Sequence, residues 1–215
     1  MATYHHGDLH EALLAAGESV LAERGLQGFT MRECARRAGV SHAAPKHHFQ
    51  DVSGFLTAIA TRGFDHLGRT LREHLAALPE TSTLVDEFHA VVCGYLAFAT
   101  NWPEHFRIMF RSDLLRIDSA GLPASVSNTF RELTNVVLRQ RGEPELAAED
   151  SIDITDNLPV VQDIVIAWSH VHGFAHLRLE GQLVMVDSDA EDAITRRVSR
   201  RLSELVQQRC DYDEG

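Results

Sequence analysis

The sequence predicts an all-α protein, and three observations carry that expectation. Apolar residues recur at helical spacing along most of the chain. No run alternates apolar and polar residues as a half-buried strand would. Gly25, Gly39, Pro79, Pro103 and the run Gly142-Glu143-Pro144 punctuate the helical stretches. At 215 residues the chain can bury a real core in one or two domains, and it contains no repeat. The expected architecture is an N-terminal three-helix bundle holding a helix-turn-helix, followed by a larger helical bundle.

Asp8 is the expected N-cap of a first helix in which Leu9, Ala12, Leu13, Ala16, Val20 and Leu21 form one stripe. Gly25 ends it. Thr30 and Glu33 have capping-box spacing, so a second helix opens there, with Met31, Cys34, Ala35 and Ala38 as a narrow apolar edge. Gly39 supplies the backbone freedom for a sharp turn, Val40 plugs the corner, and Ser41 is the expected N-cap of a third helix, Ser41 to Phe49. Pro45 removes a bond to the Ser41 carbonyl, so this helix is expected to begin tightly or irregularly. Two helices joined this closely, with Ala35 small at their crossing, form a helix-turn-helix whose second member can enter a DNA major groove.

A long helix should follow from about Val52 to Ala77, carrying Phe55, Leu56, Ile59, Phe64, Leu67, Leu71 and Leu75. Residues 83–100 are apolar on most sides, and Pro103 separates them from a short helix with Phe106, Ile108, Met109 and Phe110. Another helix is expected from Pro123 to Arg141. The acidic stretch Glu143 to Asp156 lacks periodicity and reads as partly loop. Pro159 to Leu179 is apolar all round. Ala190 to Gln208 places Ile194, Val198, Leu202 and Leu205 on one face.

The formal net charge is −11, yet it is unevenly spread. Residues 1–70 carry seven basic and seven acidic side chains, whereas the whole excess of acid lies in residues 71–215. Between Arg32 and Gln50, Arg32, Arg36, Arg37 and Lys46 outnumber Glu33 by three, with His42, His47 and His48 beside them. Phosphate attraction follows this local field because distant charges are screened. Cys34, Cys93 and Cys210 are widely spaced and form no CxxC pair, which suits reduced cytosolic thiols. No stretch resembles a membrane span or a secretory leader, and a cytoplasmic location is expected.

Residues 4 to about 78 resemble the DNA-binding domain of TetR-type transcriptional regulators. The resemblance rests on a helix ending at Glu23-Arg24-Gly25, on Phe29, on TMRECARRAGVS (Thr30 to Ser41), on Phe49 and on an acidic N-cap at Asp51. AWSHVHGFAHLRLEG, Ala167 to Gly181, resembles the WHG-type C-terminal domain, with Trp168, His172 and Gly173 as its named residues, and NWPEHFRIMF, Asn101 to Phe110, is similar to the middle of that domain. Two positions depart from the pattern: Lys46 stands where a phosphate-contacting Tyr is usual, and Val52 stands where a Lys is usual, followed by Ser53 in place of an acid.

The resemblance implies a DNA-binding domain over residues 1–52 and a ligand-binding and dimerisation domain over 53–215. It also implies a homodimeric, ligand-responsive regulator, a repressor, that is not an enzyme and needs no cofactor or metal. Its partners would be a pseudo-palindromic double-stranded operator and a small-molecule effector, with no membrane. It assigns base-edge contacts to Arg32, His42, Ala43 and Ala44, and backbone contacts to Thr30, Lys46 and His48, with Ser41 and His47 on the same surface. The expected effector-site residues are Phe88, Tyr95, Phe98, Phe106, Met109, Phe110, Trp168 and His172, an aromatic set of the kind that lines pockets between bundle helices. Two other readings stand beside this one. His172, His176 and Glu180 share a helix face, as a metal-dependent helical enzyme would require, although no HExxH is present. A helical interaction module without DNA binding is the third.

Overall fold

The computed structural model describes residues 6–119, 121–148, 150 and 158–210, and among them all regular structure is helical. Nine α-helices are described: α1 (His6–Arg24), α2 (Met31–Arg37), α3 (Ala44–Phe49), α4 (Val52–Ala76), α5 (Leu84–Asn101), α6 (Pro103–Met109), α7 (Leu122–Arg141), α8 (Leu158–Leu179) and α9 (Ser188–Cys210). A single 3-10 turn, Leu26–Gly28, joins α1 to the segment before α2. Most helix limits fall within two residues of those the periodicity predicts. The first helix differs: it already includes His6, so Asp8 stands inside its first turn rather than at its cap. The expected loop from Glu143 to Asp156 lies partly outside the described residues; the described part, through Asp150, holds no helix.

By internal contacts the chain forms two compact units, Met1–Phe64 with Trp102–Ser125, and Asp65–Asn101 with Val126–Gly215. The core of the first unit is built around Phe55, which is fully buried. Phe49 lies 4.0 Å from it between ring centroids, and Phe29 meets it edge-on at 5.3 Å. Gly17 lets α1 pass close to this ring: a β-carbon there would stand 2.5 Å from Phe55 Cε1. Leu13, Val20, Leu21, Cys34, Ala35, Ile59, Phe106 and Met109 complete the packing. Glu18 of α1 ties α6 and α4 together, through His105 Nε2 and Arg62, each at 3.2 Å.

In the second unit, α5 is the central helix, burying Phe88, Val92, Tyr95, Leu96 and Phe98. Against it pack α8, through Val160, Ile164, Ala167, Val171 and Ala175, and α9. The face that α9 buries within the unit shares only Leu202 with its apolar stripe. Leu202 is buried, but its buried companions are Thr195, Ser199, Ser203 and Val206, while Ile194, Val198 and Leu205 stay half-exposed. Small hydroxyl residues suit a close helix crossing because each can return its hydrogen bond to its own helix, as Thr195 does to the Glu191 carbonyl and Ser199 to the Thr195 carbonyl. Gln140 links three segments. Its side-chain nitrogen donates to the Leu84 carbonyl, and its oxygen accepts from Ser203 and Gln207 of α9. No helix of the described residues is long and apolar enough to cross a membrane.

Candidate functional site

The helix pair of the first unit is built from short-range chemistry. Thr30 adopts extended backbone angles and its side-chain oxygen accepts from the Glu33 N–H at 3.2 Å, the first half of the expected capping box. The reciprocal half gives way to ion pairs. Glu33 instead accepts from Arg36 and Arg37 and lies 3.3 Å from Arg24. The Arg36 and Arg37 hydrogen bonds hold its carboxyl down at about 2, so the cluster stays charged through all ordinary pH. Arg37 also forks onto Glu23 of α1, fixing α2 against α1. Two of the four cations counted in the motif are therefore committed inside the protein. Arg32 and Lys46 are both exposed, and no ion pair is described for either.

Gly39 turns the chain with a positive φ of 68°, and the Val40 N–H closes the corner on the Ala35 carbonyl. Ser41 differs from its expected role. Ala43 occupies the cap position of α3 without a side-chain bond, and the Ser41 carbonyl accepts from Ala44 N–H in a tight turn. The reason is Pro45, second residue of α3 and buried, whose ring anchors the start of the helix and leaves a six-residue recognition segment. Thr30, Arg32, Ser41, His42, Ala43, Lys46 and His47 are exposed on this helix pair, and Ala44 is half-buried. His48 is half-buried, 5.8 Å from His10 and 6.1 Å from Phe49 between ring centroids.

Helix α3 passes into α4 through a γ-turn at Gln50, whose φ of 70° and ψ of −56° belong to the rare, strained hand. The turn closes with Asp51 N–H donating to the Phe49 carbonyl at 2.9 Å. Asp51 caps α4 by accepting from Gly54 N–H, and that bond, joined by Arg116, holds its carboxyl well below the usual carboxylate range. Arg116, from the segment between α6 and α7, donates to both Gln50 and Asp51. Sequence reasoning missed Arg116 and Gly54. Arg116 is 65 residues from Asp51, and the need for glycine at 54 comes from the Phe49 backbone, not from any local pattern.

The expected effector residues divide between the two units. Phe106, Met109 and Phe110 lie in the first, with the Phe106 and Phe110 rings 5.9 Å apart. Phe88, Tyr95, Phe98, Trp168 and His172 lie in the second. There Tyr95 hydroxyl and His172 Nδ1 stand 2.9 Å apart. The Trp168 ring lies 5.2 Å from Phe130 and 5.7 Å from His172. Burial pushes the Tyr95 phenol up, while burial and then His176 push His172 down, so the pair is held neutral. His172 and His176 stack with centroids 6.4 Å apart, and no metal-binding group of three or more His, Cys, Asp or Glu occurs among the described residues. A groove of about 440 Å³ between α5, α8 and α9, lined by Cys93, Thr100, Arg178, Glu191 and Asp192 among others, involves none of the expected effector residues.

A short helix offering exposed polar and basic side chains, braced by a second helix across a glycine turn, defines a helix-turn-helix DNA-binding protein. The chain belongs to the TetR family of transcriptional regulators: residues 13–66 match bacterial regulatory proteins of the tetR family, and residues 88–202 match the tetracyclin repressor-like C-terminal domain. It is thus a DNA-binding regulator of a non-enzymatic family. Over 68 residues, 32% of this chain and 34% of the relative, it is 35% identical to the HTH-type transcriptional regulator BetI of Yersinia pestis (strain Pestoides F). It is 33% identical over 84 residues to BetI of Serratia proteamaculans (strain 568), covering 39% of this chain and 42% of that one. The likeness to these regulators spans less than half of their length. Among solved structures, a protein of unknown function from Rhodococcus sp. RHA1 is similar over 97% of this chain and 98% of its own, with 25% identity and a TM-score of 0.70. A TetR-family regulator of Haemophilus influenzae RD shares the fold at 16% identity and a TM-score of 0.57, over 90% of this chain and 96% of that chain.

Proposed function

We propose that the chain is a homodimeric, effector-responsive repressor working in the cytoplasm. In this reading residues 1–52 bind DNA, and residues 53–215, a WHG-type domain, bind the effector and the second protomer. The observation that carries it is the exposed surface of Thr30, Arg32, Ser41, His42, Ala43, Lys46 and His47 on one braced helix pair. Arg32 can present a two-pronged donor to guanine, whereas Ala43 and Ala44 can only touch apolar groups such as a thymine methyl. Thr30, Lys46 and His48 take backbone roles. For dimerisation, the support is an unsatisfied apolar face. Leu158, Val165 and Leu177 of α8 are exposed, α9 leaves Ile194, Val198 and Leu205 half-exposed, and a β-carbon on Gly173 would meet nothing within 4 Å.

Two recognition helices related by a two-fold axis read half-sites one helical turn, about 34 Å, or a multiple apart. Sequencing DNA captured by the purified protein, followed by footprinting, should therefore recover a protected pseudo-palindrome, with a dimer by light scattering. A protected single half-site, or a monomer at micromolar concentration, refutes the arrangement. Effector control follows from linkage: a ligand preferring the non-binding spacing of the two helices weakens operator affinity by its reciprocal coupling. The neutral Tyr95–His172 pair beside Trp168, with Phe88 and Phe98 in the same unit, supports an apolar effector with one hydrogen-bonding group.

Arg32→Ala is expected to weaken operator binding more than random-duplex binding, because base contacts specify and phosphate contacts do not. Equal losses on both DNAs would move Arg32 to a backbone role.

A further inference from the structure

The corner between α3 and α4 is where the recognition segment ends, yet its own charge is wrong for a polyanion. Gln50, Asp51, Val52, Ser53 and Gly54 carry one charge, and it is negative. Asp51 and Val52 are both exposed. A phosphate approaching this corner would meet an uncompensated carboxylate, unless a cation came from elsewhere in the fold.

Arg116 is that cation. The segment after α6 is fastened to the first turns of α4 by Ser53 hydroxyl donating to the Leu114 carbonyl at 2.7 Å, and by Arg116 N–H donating to the Thr57 hydroxyl at 2.9 Å. So anchored, the Arg116 guanidinium donates to Gln50 Oε1 at 2.7 Å and to Asp51 Oδ2 at 2.5 Å, spanning the γ-turn. Those two bonds use two of the five N–H groups of the fork, and the side chain is 37% exposed. We propose that Arg116 is a DNA-backbone contact, neutralising Asp51 and donating from its remaining N–H groups to a phosphate flanking the half-site read by α3. This rests on the DNA-binding reading above and deepens it. A residue of the α6–α7 segment would belong to the DNA-facing surface, so movement of that segment would alter a phosphate contact directly.

The test is the salt dependence of binding by the full-length protein, on its captured operator and on a random duplex. Arg116→Gln is expected to lower the slope of log K against log[salt] by about 0.9 per bound protomer, equally on both DNAs. Masking of Asp51 alone predicts something else, so Asp51→Asn and the double variant Asp51→Asn/Arg116→Gln separate the two. The double variant should keep the reduced slope. Arg116→Lys, which retains charge without the fork, should hold the parent slope, and it guards against a glutamine variant that fails to fold. An unchanged slope in Arg116→Gln, recovery of the parent slope in the double variant, or a slope in Arg116→Lys as low as in Arg116→Gln each overturns the proposal. Absence of binding by the parent to either duplex would instead sink the regulator reading and this inference with it.

Discussion

Gly54→Ala is expected to lower operator affinity at least tenfold and to destabilise the protein, although the same change in an ordinary helix would stabilise it. Alanine in place of glycine inside a helix is worth up to about 1 kcal/mol in favour of folding. Here the added β-carbon would collide with the Phe49 carbonyl oxygen. That oxygen is backbone, and it already accepts from Asp51 N–H in the γ-turn that joins α3 to α4. It cannot swing aside as a side-chain end could. Overpacking a tight contact costs about 1–3 kcal/mol, so the collision outweighs the helix gain. Relief requires α3 to move away from α4, which withdraws Phe49 from Phe55 and tilts Lys46 and His47 with it. Thermal melting and a binding isotherm on the operator check both halves. An alanine variant with parent affinity would show that the α3–α4 junction yields without cost, and the rigid-corner account would fail.

This junction also marks where sequence reasoning stops. The helices were legible because their apolar spacing is local, and because Gly25, Gly39, Pro79 and Pro103 end or separate them. The glycine turn at Gly39 and the Thr30 cap were legible for the same reason, each needing only residues a few positions apart. Asp8 was misread because an acidic residue suits both a cap and a first helical turn. Ser41 lost its cap because Pro45, four residues on, dictates where α3 begins. The charge count misled in a different way. Arg36 and Arg37 reach Glu33 one helical turn away within α2, a pairing the charge count left out, and only the Arg37 bond to Glu23 depends on α1 crossing α2. Arg116 was beyond reach because its partners stand 65 and 66 residues away. The buried face of α9 was hidden by its chemistry, since Thr195, Ser199 and Ser203 read as solvent-facing until α5 is laid against them.

The largest stability loss is expected from Arg141→Leu. Arg141 ends α7 with its side chain 7% exposed, and it donates to Asp163 of α8, which is fully buried, at 2.8 Å. Its Nε also donates to Glu143 at 2.7 Å. A buried ion pair contributes little net stability when compared with apolar residues of similar size, because desolvation offsets the attraction. Removing one partner is different, since the buried Asp163 carboxylate then loses the Arg141 charge, and losses of about 3–5 kcal/mol follow. For a chain of this size that corresponds to a melting point lower by roughly 10 °C. Urea unfolding followed by circular dichroism measures it. Arg141→Leu/Asp163→Leu is the informative companion, because it removes both charges and fills the space with apolar groups. It should recover most of the loss, and a double variant as unstable as the single one would mean that Asp163 is not the source. The pair joins α7 to α8 within one unit, so the damage should begin in that unit. An Arg141→Leu protein that still melts near the parent temperature would show that Asp163 is adequately satisfied by its other neighbours, and that the guanidinium is dispensable.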